Sequence, residues 1–389
     1  MNLDEFRSLL SPAGQEALRA AVVLSPREED YLRYFQELSR RFAPDLARSS
    51  LEIAIQRRAA ATKFPFADQL FFSREALEQA SSWEVAVYRS GRLRGFNRIL
   101  DLGCSAGGDT LALAGAAPVV GVDIDPLRLA MAEANLRALE REERSRLIRA
   151  DLRQPLPLRC LDHTAIFFDP ARRAAGRRLR SVESYQPPLQ IVRMWLEDYP
   201  AIAVKVSPGV ELAQLEGYDA EVEFISLNGE LKEAALWFGP LKSAHRRATL
   251  LPAGHTLTEA AAALPIRQPG AYIYEPDPAV LRAGLVAVLG EQIGAAQLDP
   301  DIAYLTADHR VSTPFARVWT VEGWMPFSVK RLRSYLRERN VGRVTVKKRG
   351  SPLQPEALIH DLRLQGDEER LVFLTHLSGR PISLIARSP

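Results

Sequence analysis

The nine residues Asp101-Leu102-Gly103-Cys104-Ser105-Ala106-Gly107-Gly108-Asp109 decide the fold of this chain. They close an expected strand at 99–103 and open an expected helix at 109–116. Glycines in such a turn let the backbone pass close to a ligand, because glycine adopts dihedrals closed to other residues. A dinucleotide fingerprint needs G-x-G-x-x-G, with the helix N-terminus open to a pyrophosphate. Here the spacing is G-x-x-x-G-G, and two carboxylates, Asp101 and Asp109, wall the loop. They repel a pyrophosphate and suit a cation.

Outward from the loop, short apolar runs alternate with helical stretches. Strands are expected at 119–123, 146–151, 164–169 and 202–206, and helices at 126–139 and 188–198. Fully apolar strands separated by helices predict a parallel sheet covered on both faces, an α/β fold. Two longer strands, 221–227 and 233–238, flank Asn228-Gly229, a hairpin signal.

Acids end three successive strands. Asp123 follows the loop by about 20 residues, where a carboxylate can accept both hydroxyls of a ribose. Asp151 ends the next strand and can accept an adenine amino group. Ile124 and Leu152, which follow these acids, are assigned to the same site. S-adenosyl-L-methionine carries an ammonium and a sulfonium and no phosphate, and it suits this set. Gly103, Ser105 and Gly107 would bring the backbone to it. Asp125-Pro126 reads as a helix cap, so Asp125 is structural. Cys104 reads as a small buried thiol.

This constellation resembles the class I S-adenosylmethionine-dependent methyltransferases. Asp101, Gly103 and Gly107 match their first motif, with Ser105 where many members have glycine, and Asp123 matches the ribose-binding acid. The resemblance implies a Rossmann-like methyltransferase sheet, parallel with a terminal antiparallel hairpin.

The fourth strand ends Phe167-Phe168-Asp169-Pro170-Ala171-Arg172-Arg173. Enzymes that methylate planar amines often carry Asp/Asn-Pro-Pro-aromatic here, so Asp169 and Pro170 are candidate catalytic residues. Ala171 and Arg172 replace the Pro-aromatic pair. Phe64, Phe66, Phe71 and Phe72 are then candidates for stacking, with core packing as the alternative. Asp-Pro-x-Arg is also similar to the uridine C5 methyltransferases. Those need a cysteine after the fifth strand, where this chain has Ser207-Pro208-Gly209, and Cys160 precedes the fourth strand. Lys205, inside the apolar fifth strand, needs a partner. Asp169 is one, and such a pair can assist ribose 2′-O-methylation, with Lys63 or Glu233 completing the set; a purely structural pair is the alternative.

Three further features narrow the resemblance: Lys63-Phe64-Pro65 with Leu77-Glu78-Gln79-Ala80, the Asp169–Arg173 element, and a basic segment from Phe327-Ser328-Val329-Lys330 to Lys347-Lys348-Arg349-Gly350. The chain is similar to bacterial class I methyltransferases with a C-terminal THUMP-like domain, themselves distantly similar to trimethylguanosine synthases. The resemblance implies RNA as substrate class, and the Asp169-Pro170 element favours a base amine such as guanosine N2.

The 389 residues carry a net charge of only +3. The charge is uneven. Residues 326–350 hold nine basic side chains against Glu338, a local +8, and residues 171–181 hold five arginines and no acid. The remainder is therefore −10. Two separated basic clusters fit a long polyanion better than a small substrate. Arg172, Arg173, Lys330, Arg331, Lys347, Lys348 and Arg349, with Lys63, are the candidate contacts to RNA.

Four segments are expected: a helical region at 1–84, the methyltransferase domain at 85–245, a Pro- and Gly-rich connecting region at 246–323, and a small α+β domain at 324–389. In the first, Ser25-Pro26-Arg27-Glu28 has the form of a capping box. Two cysteines exclude a disulfide framework, and six scattered histidines predict no metal site. The first residues lack a signal pattern and no run is long enough for a membrane span, so a soluble cytoplasmic protein is expected. The leading expectation is an RNA methyltransferase. The alternatives are ribose 2′-O methylation, a protein or small-molecule substrate, and an inactive RNA-binding protein.

Overall fold

A computed structural model describes residues 1–156, 163–174, 177–259 and 261–387, with backbone only at Arg173, Ala174 and Arg178. Cys160 lies outside the described residues. The chain forms two compact units, Met1–Val222 with Lys232–Ser243, and Glu223–Leu231 with Ala244–Pro389.

The first unit begins with helices α1 (Leu3–Leu10), α2 (Pro12–Val23), α3 (Tyr31–Leu38), α4 (Pro44–Ala60), α5 (Arg74–Gln79) and α6 (Trp83–Arg92). Asn2 and Glu5 form a reciprocal capping box on α1, and Ser11 caps α2. The capping box expected at Ser25 does not form. Ser25 has φ +47, whereas an N-cap is extended, and a short turn at Glu28–Asp30 precedes α3. Phe64 and Phe71 are buried with Phe6, Leu9 and Ile53 and are core, whereas Phe72, buried in the same cluster, also lines a cavity of this unit. Phe66 is half-buried against Trp83, edge to face at 4.7 Å.

Strands β1 (Arg98–Leu102), β2 (Val119–Asp123), β3 (Ser145–Arg149) and β4 (Thr164–Phe168) follow, with helices α7 (Gly108–Ala116) and α8 (Pro126–Ala138) between the first three. A two-residue ladder, β5 (Arg173–Ala174) with β6 (Arg177–Arg178), precedes α9 (Ile191–Asp198) and β7 (Ala201–Val206). Strands β8 (Ala220–Leu227) and β9 (Glu230–Phe238) flank the turn Asn228-Gly229, and the boundary between the units runs through this hairpin. In the first unit β3, β2, β1, β4 and β7 pair in parallel and β9 pairs antiparallel with β7. This is a Rossmann-like sheet, parallel with one antiparallel strand, as the sequence predicts. The apolar runs became its central strands because β4 and β7 are buried along their whole length. The chain runs to one side of β1 through β2 and β3, then crosses to β4. That reversal opens a crevice at the carboxyl ends of β1 and β4.

The second unit contains β10 (Arg246–Leu251), β11 (His255–Leu257), β12 (Tyr272–Pro276), α10 (Pro278–Ala283), α11 (Val286–Ile293), β13 (Ala296–Asp299), β14 (Ile302–Ala307) and β15 (Ala316–Pro326). It ends with α12 (Val329–Arg337), β16 (Val341–Lys348), α13 (Pro355–Leu362), β17 (Glu368–Leu377) and β18 (Arg380–Arg387). Residues 246–323 thus carry regular elements among their prolines and glycines. A seven-stranded sheet has the order β13-β14-β12-β15-β18-β17-β16. One of its cores gathers Ile273, Tyr304, Trp319, Phe373 and Leu384. Another seats α12 and α13 through Leu332, Leu336, Leu358 and Leu362. Phe373 meets Tyr304 and Trp319 edge to face, each at 5.3 Å. Phe373→Ala is expected to destabilise the protein by about 3–5 kcal/mol, read as a lowered midpoint in denaturant titration.

Candidate active site

The crevice holds a cavity of about 430 Å³ in the first unit, in the range of small-molecule sites. Its walls come from the loop after β1, the tip of β2, the segment after β3 and the turn after β4. Backbone hydrogen bonds tie these ends together. Gly103 N–H donates to Val122 O at 2.8 Å, and Asp169 N–H donates to Leu102 O at 3.0 Å. Gly103 has φ +86, and a Cβ there would lie 2.5 Å from the Asp169 carbonyl oxygen. The glycine therefore sets how closely the β1 loop approaches the β4 turn. Ser105, at φ +50, holds a backbone geometry that favours glycine, so the serine is accommodated with strain.

Asp123 is 8% exposed and faces the cavity. Its Oδ2 accepts from Ser105 N–H and its Oδ1 from Asp125 N–H, both at 2.9 Å. The carboxylate is aimed by two amides, and each oxygen keeps a further lone pair. Ile124 lies on the same wall and is 52% exposed, with Leu152 and Ala150 nearby. An apolar side chain left open at a cavity edge suits the face of a flat ring. Asp125 caps α8 by accepting from Leu127 N–H and Arg128 N–H, as its spacing predicts. Cys104 is buried, and desolvation pushes its thiol well up.

Three expected positions come out differently. Asp101 is 0% exposed and lies behind the lining residues. Its Oδ2 accepts from Thr110 Oγ1 at 2.5 Å, its Oδ1 has no partner among the described residues, and burial pushes its pKa up to about 8. Burial thus favours its uncharged form beneath the loop. Asp109 instead brings its carboxylate to the wall. Gly107 packs on Ala132 and does not line the cavity. Asp151 falls two residues past β3, because that strand ends at Arg149. It lines the cavity, but both its oxygens accept from Arg153, at 2.6–3.1 Å, which holds its carboxyl at about 2.

Behind the cavity lies a buried chain of charges. The Arg89 guanidinium is ion-paired with Asp109 and with Glu233 Oε1, the latter at 3.0 Å, and donates to Ser81 Oγ at 2.9 Å. It also sits over the Phe167 ring at 4.5 Å. Lys205 is 2% exposed, and its Nζ donates to Asp169 Oδ2 at 2.8 Å and to Gln79 O at 3.1 Å. The same Nζ lies 3.9 Å from Asp109 Oδ2. Two cations thus serve three carboxylates, of which Asp109 and Asp169 reach the cavity wall. Burial pushes the Glu233 carboxyl up, against the pull of Arg89. The cavity is left with a negative bias. Arg89 escaped the sequence reading because nothing in its helix marks it. Only the fold turns it inward.

The expected RNA contacts separate. Lys63 is not placed as a free phosphate contact: its ammonium donates to the carbonyls of Leu77, Glu78 and Ala80 at 2.7, 3.2 and 2.8 Å. All three protons are spent on the end of α5, and burial with nearby Lys205 lowers its pKa to about 8. In the second unit Lys347 pairs with Glu275 at 2.5 Å, and Arg349 lies 3.7 Å from the same carboxylate. Lys348 donates to Leu353 O at 2.9 Å. Arg333 and Arg337 donate to carbonyls of Asp361 and Arg363 near the end of α13. Lys330 and Arg331 are exposed, with no side-chain partner among the described residues. Arg172 is half-buried just past Asp169-Pro170, and the Arg173 side chain lies outside the described set.

Residues 99–182 match the methyltransferase domain family, residues 316–388 a THUMP domain-like family, and residues 2–60 a domain of unknown function. An uncharacterised S-adenosylmethionine-dependent methyltransferase of Mycobacterium tuberculosis is 37% identical over 323 residues, covering 81% of this chain and 87% of that protein. The chain of a second strain, H37Rv, matches equally. In fold the chain is similar to a crystal structure from Porphyromonas gingivalis W83 assigned to the methyltransferases. The TM-score is 0.79 at 21% identity, over 96% of this chain and 97% of the other. The chain belongs to the S-adenosylmethionine-dependent methyltransferases, and it carries a THUMP-like domain. Its cofactor is S-adenosyl-L-methionine, whose sulfonium supplies an activated methyl group. The negatively biased cavity, with a carboxylate aimed by two amides and an open apolar wall, fits that cation. Among the described residues no cluster could hold a metal ion, and no helix is long and apolar enough to cross a membrane.

Two outcomes follow from this geometry. Gly103→Ala is expected to cost more than about 1 kcal/mol in denaturant titration, because its Cβ meets the Asp169 carbonyl and its φ is positive. For Asp101, the folded pKa of about 8 lies above the unfolded value of 3.8. The unfolded chain therefore releases this proton first, and the group lowers stability progressively as pH rises from about 4 to about 8. Asp101→Asn should gain stability over the native chain across that window and hold a constant difference above it, measured by thermal unfolding as a function of pH.

Proposed function

We propose that this methyltransferase acts on RNA, at an amine nitrogen of a base. The observation that carries the reading is the setting of Asp169. Its Oδ2 is held by Lys205, its carboxylate is on the cavity wall beside Pro170, and a run of arginines begins at Arg172. A carboxylate fixed in this way accepts the hydrogens of an amine and orients the nitrogen. Alignment then supplies most of the rate, since the methyl group is already activated.

In this reading Asp123 takes the ribose hydroxyls of the cofactor, Asp109 takes its ammonium, and Ile124 and Leu152 flank the adenine. Ser105 and Gly103 shape the loop around it. Lys205 acts by positioning Asp169. Arg172 and Arg173 near the cavity, with Lys330 and Arg331 in the second unit, contact phosphates. Such contacts position a polyanion without reading its sequence. The THUMP-like match supports RNA as the partner. Guanosine N2 is one such base amine, and the Asp169-Pro170 element is what points to an amine. A second reading, ribose 2′-O-methylation, is favoured by the 2.8 Å Lys205–Asp169 pair.

Transfer of labelled methyl from S-adenosylmethionine to fractionated cellular RNA, followed by nucleoside analysis, tests both. A base-methylated nucleoside is expected; a 2′-O-methylated one selects the second reading, and no labelled nucleoside in any fraction removes RNA. By calorimetry, Asp123→Ala should weaken S-adenosylmethionine binding by about tenfold or more, the loss of two hydrogen bonds. Reversing Lys330 and Arg331 to Glu should weaken RNA binding uniformly across sequences and reduce its salt dependence, while S-adenosylmethionine affinity is unchanged.

A further inference from the structure

The chain leaves the cavity after Asp169-Pro170 and comes back to it sixteen residues further on, at Gln186. Between these points it folds on itself, Arg173 opposite Arg178 and Ala174 opposite Arg177. The two ends are locked together. Ala171 N–H donates to Gln186 O and Gln186 N–H donates to Ala171 O, each at 3.0 Å. The returning limb is anchored as well. Val182 and Tyr185 are buried, Val182 N–H donates to Gln214 Oε1 at 3.0 Å, and the Tyr185 hydroxyl accepts from Ser207 N–H at 3.4 Å. The backbone of Gln186 is therefore fixed two residues' reach from Asp169.

Its side chain is not committed. Gln186 is exposed, lies on the wall of the same cavity as Asp169, and makes no side-chain hydrogen bond among the described residues. The neighbours on that wall, Pro170, Ala171, Pro187 and Pro188, offer no side-chain donor or acceptor. Asp151, another lining residue, is spent on Arg153. An uncommitted amide lining the same cavity as a fixed carboxylate offers an acceptor together with a group that can donate or accept. That pairing matches the edge of an amine-bearing base, where a ring nitrogen stands next to the exocyclic amine.

We propose that Gln186 is a specificity-determining residue, which reads the ring edge of the target base while Asp169 holds its amine. The inference rests on the reading of the substrate as a base in RNA. The test uses the full-length protein, labelled S-adenosylmethionine and total cellular RNA, with labelled nucleosides separated. The wild type is expected to label one amine-bearing nucleoside. Gln186→Ala should bind S-adenosylmethionine with unchanged affinity, which reports a folded site. The ratio of label in that nucleoside to label in others should fall about tenfold, the loss of one hydrogen bond at an otherwise intact site. Gln186→Glu, of equal size, loses the donor and should change the ratio differently from the Ala variant. A Gln186→Ala protein that keeps the wild-type ratio overturns the role of Gln186 and leaves the RNA reading standing. A wild type that labels no RNA nucleoside overturns both.

Discussion

The arrangement of the first unit turns on the buried chain that links Ser81, Arg89, Glu233, Asp109, Lys205 and Asp169. Its members come from α6, α7, β7, β9, the segment before α6 and the turn after β4. Removing one partner of a buried pair leaves an uncompensated charge, at a cost of about 3–5 kcal/mol. The same ions that constrain these elements also place Asp109 and Asp169 on the cavity wall. Two of the three acids, Asp109 and Asp169, reach the cavity wall rather than staying wholly in the interior.

The division of labour among the acids follows from depth. Asp101, Asp109, Asp123 and Asp151 are all near the ends of strands or the start of a helix, and in sequence they look alike. Burial favours the neutral form of Asp101 beneath the loop, Arg153 occupies Asp151, and two backbone amides aim Asp123 while leaving it free to accept. Arg89 holds Asp109 at the wall. A carboxylate's role is set by what surrounds it, not by its spacing in the chain.

The basic segments divide in a similar way. Along the sequence, residues 326–350 form one block of positive charge. In the fold, Glu275 meets Lys347 and Arg349, and carbonyls near the end of α13 take Arg333 and Arg337. Lys330 and Arg331 remain exposed. Fewer side chains are thus open to a polyanion than the charge total suggests: Lys330 and Arg331 here, and Arg172 past Asp169 in the first unit.

The sequence by itself determined the parallel sheet, its order of strands and helices, the glycine loop and the cofactor class. These are local properties: apolar runs of strand length, turn residues at fixed offsets, and acids at strand tips. Residues 246–323 hid their strands because prolines and glycines at turns dominate the local pattern, while pairing in a sheet is non-local. Lys63, Arg89 and Gln186 were legible only in three dimensions. Lys63 looks like a free cation until α5 brings three carbonyls to it, Arg89 is an ordinary helix residue until the fold buries it, and Gln186 meets the cavity only because Ala171 pairs with it across the arginine turn. What a charged or polar side chain does depends on its partners and its burial, and both are set by contacts between residues far apart in the chain.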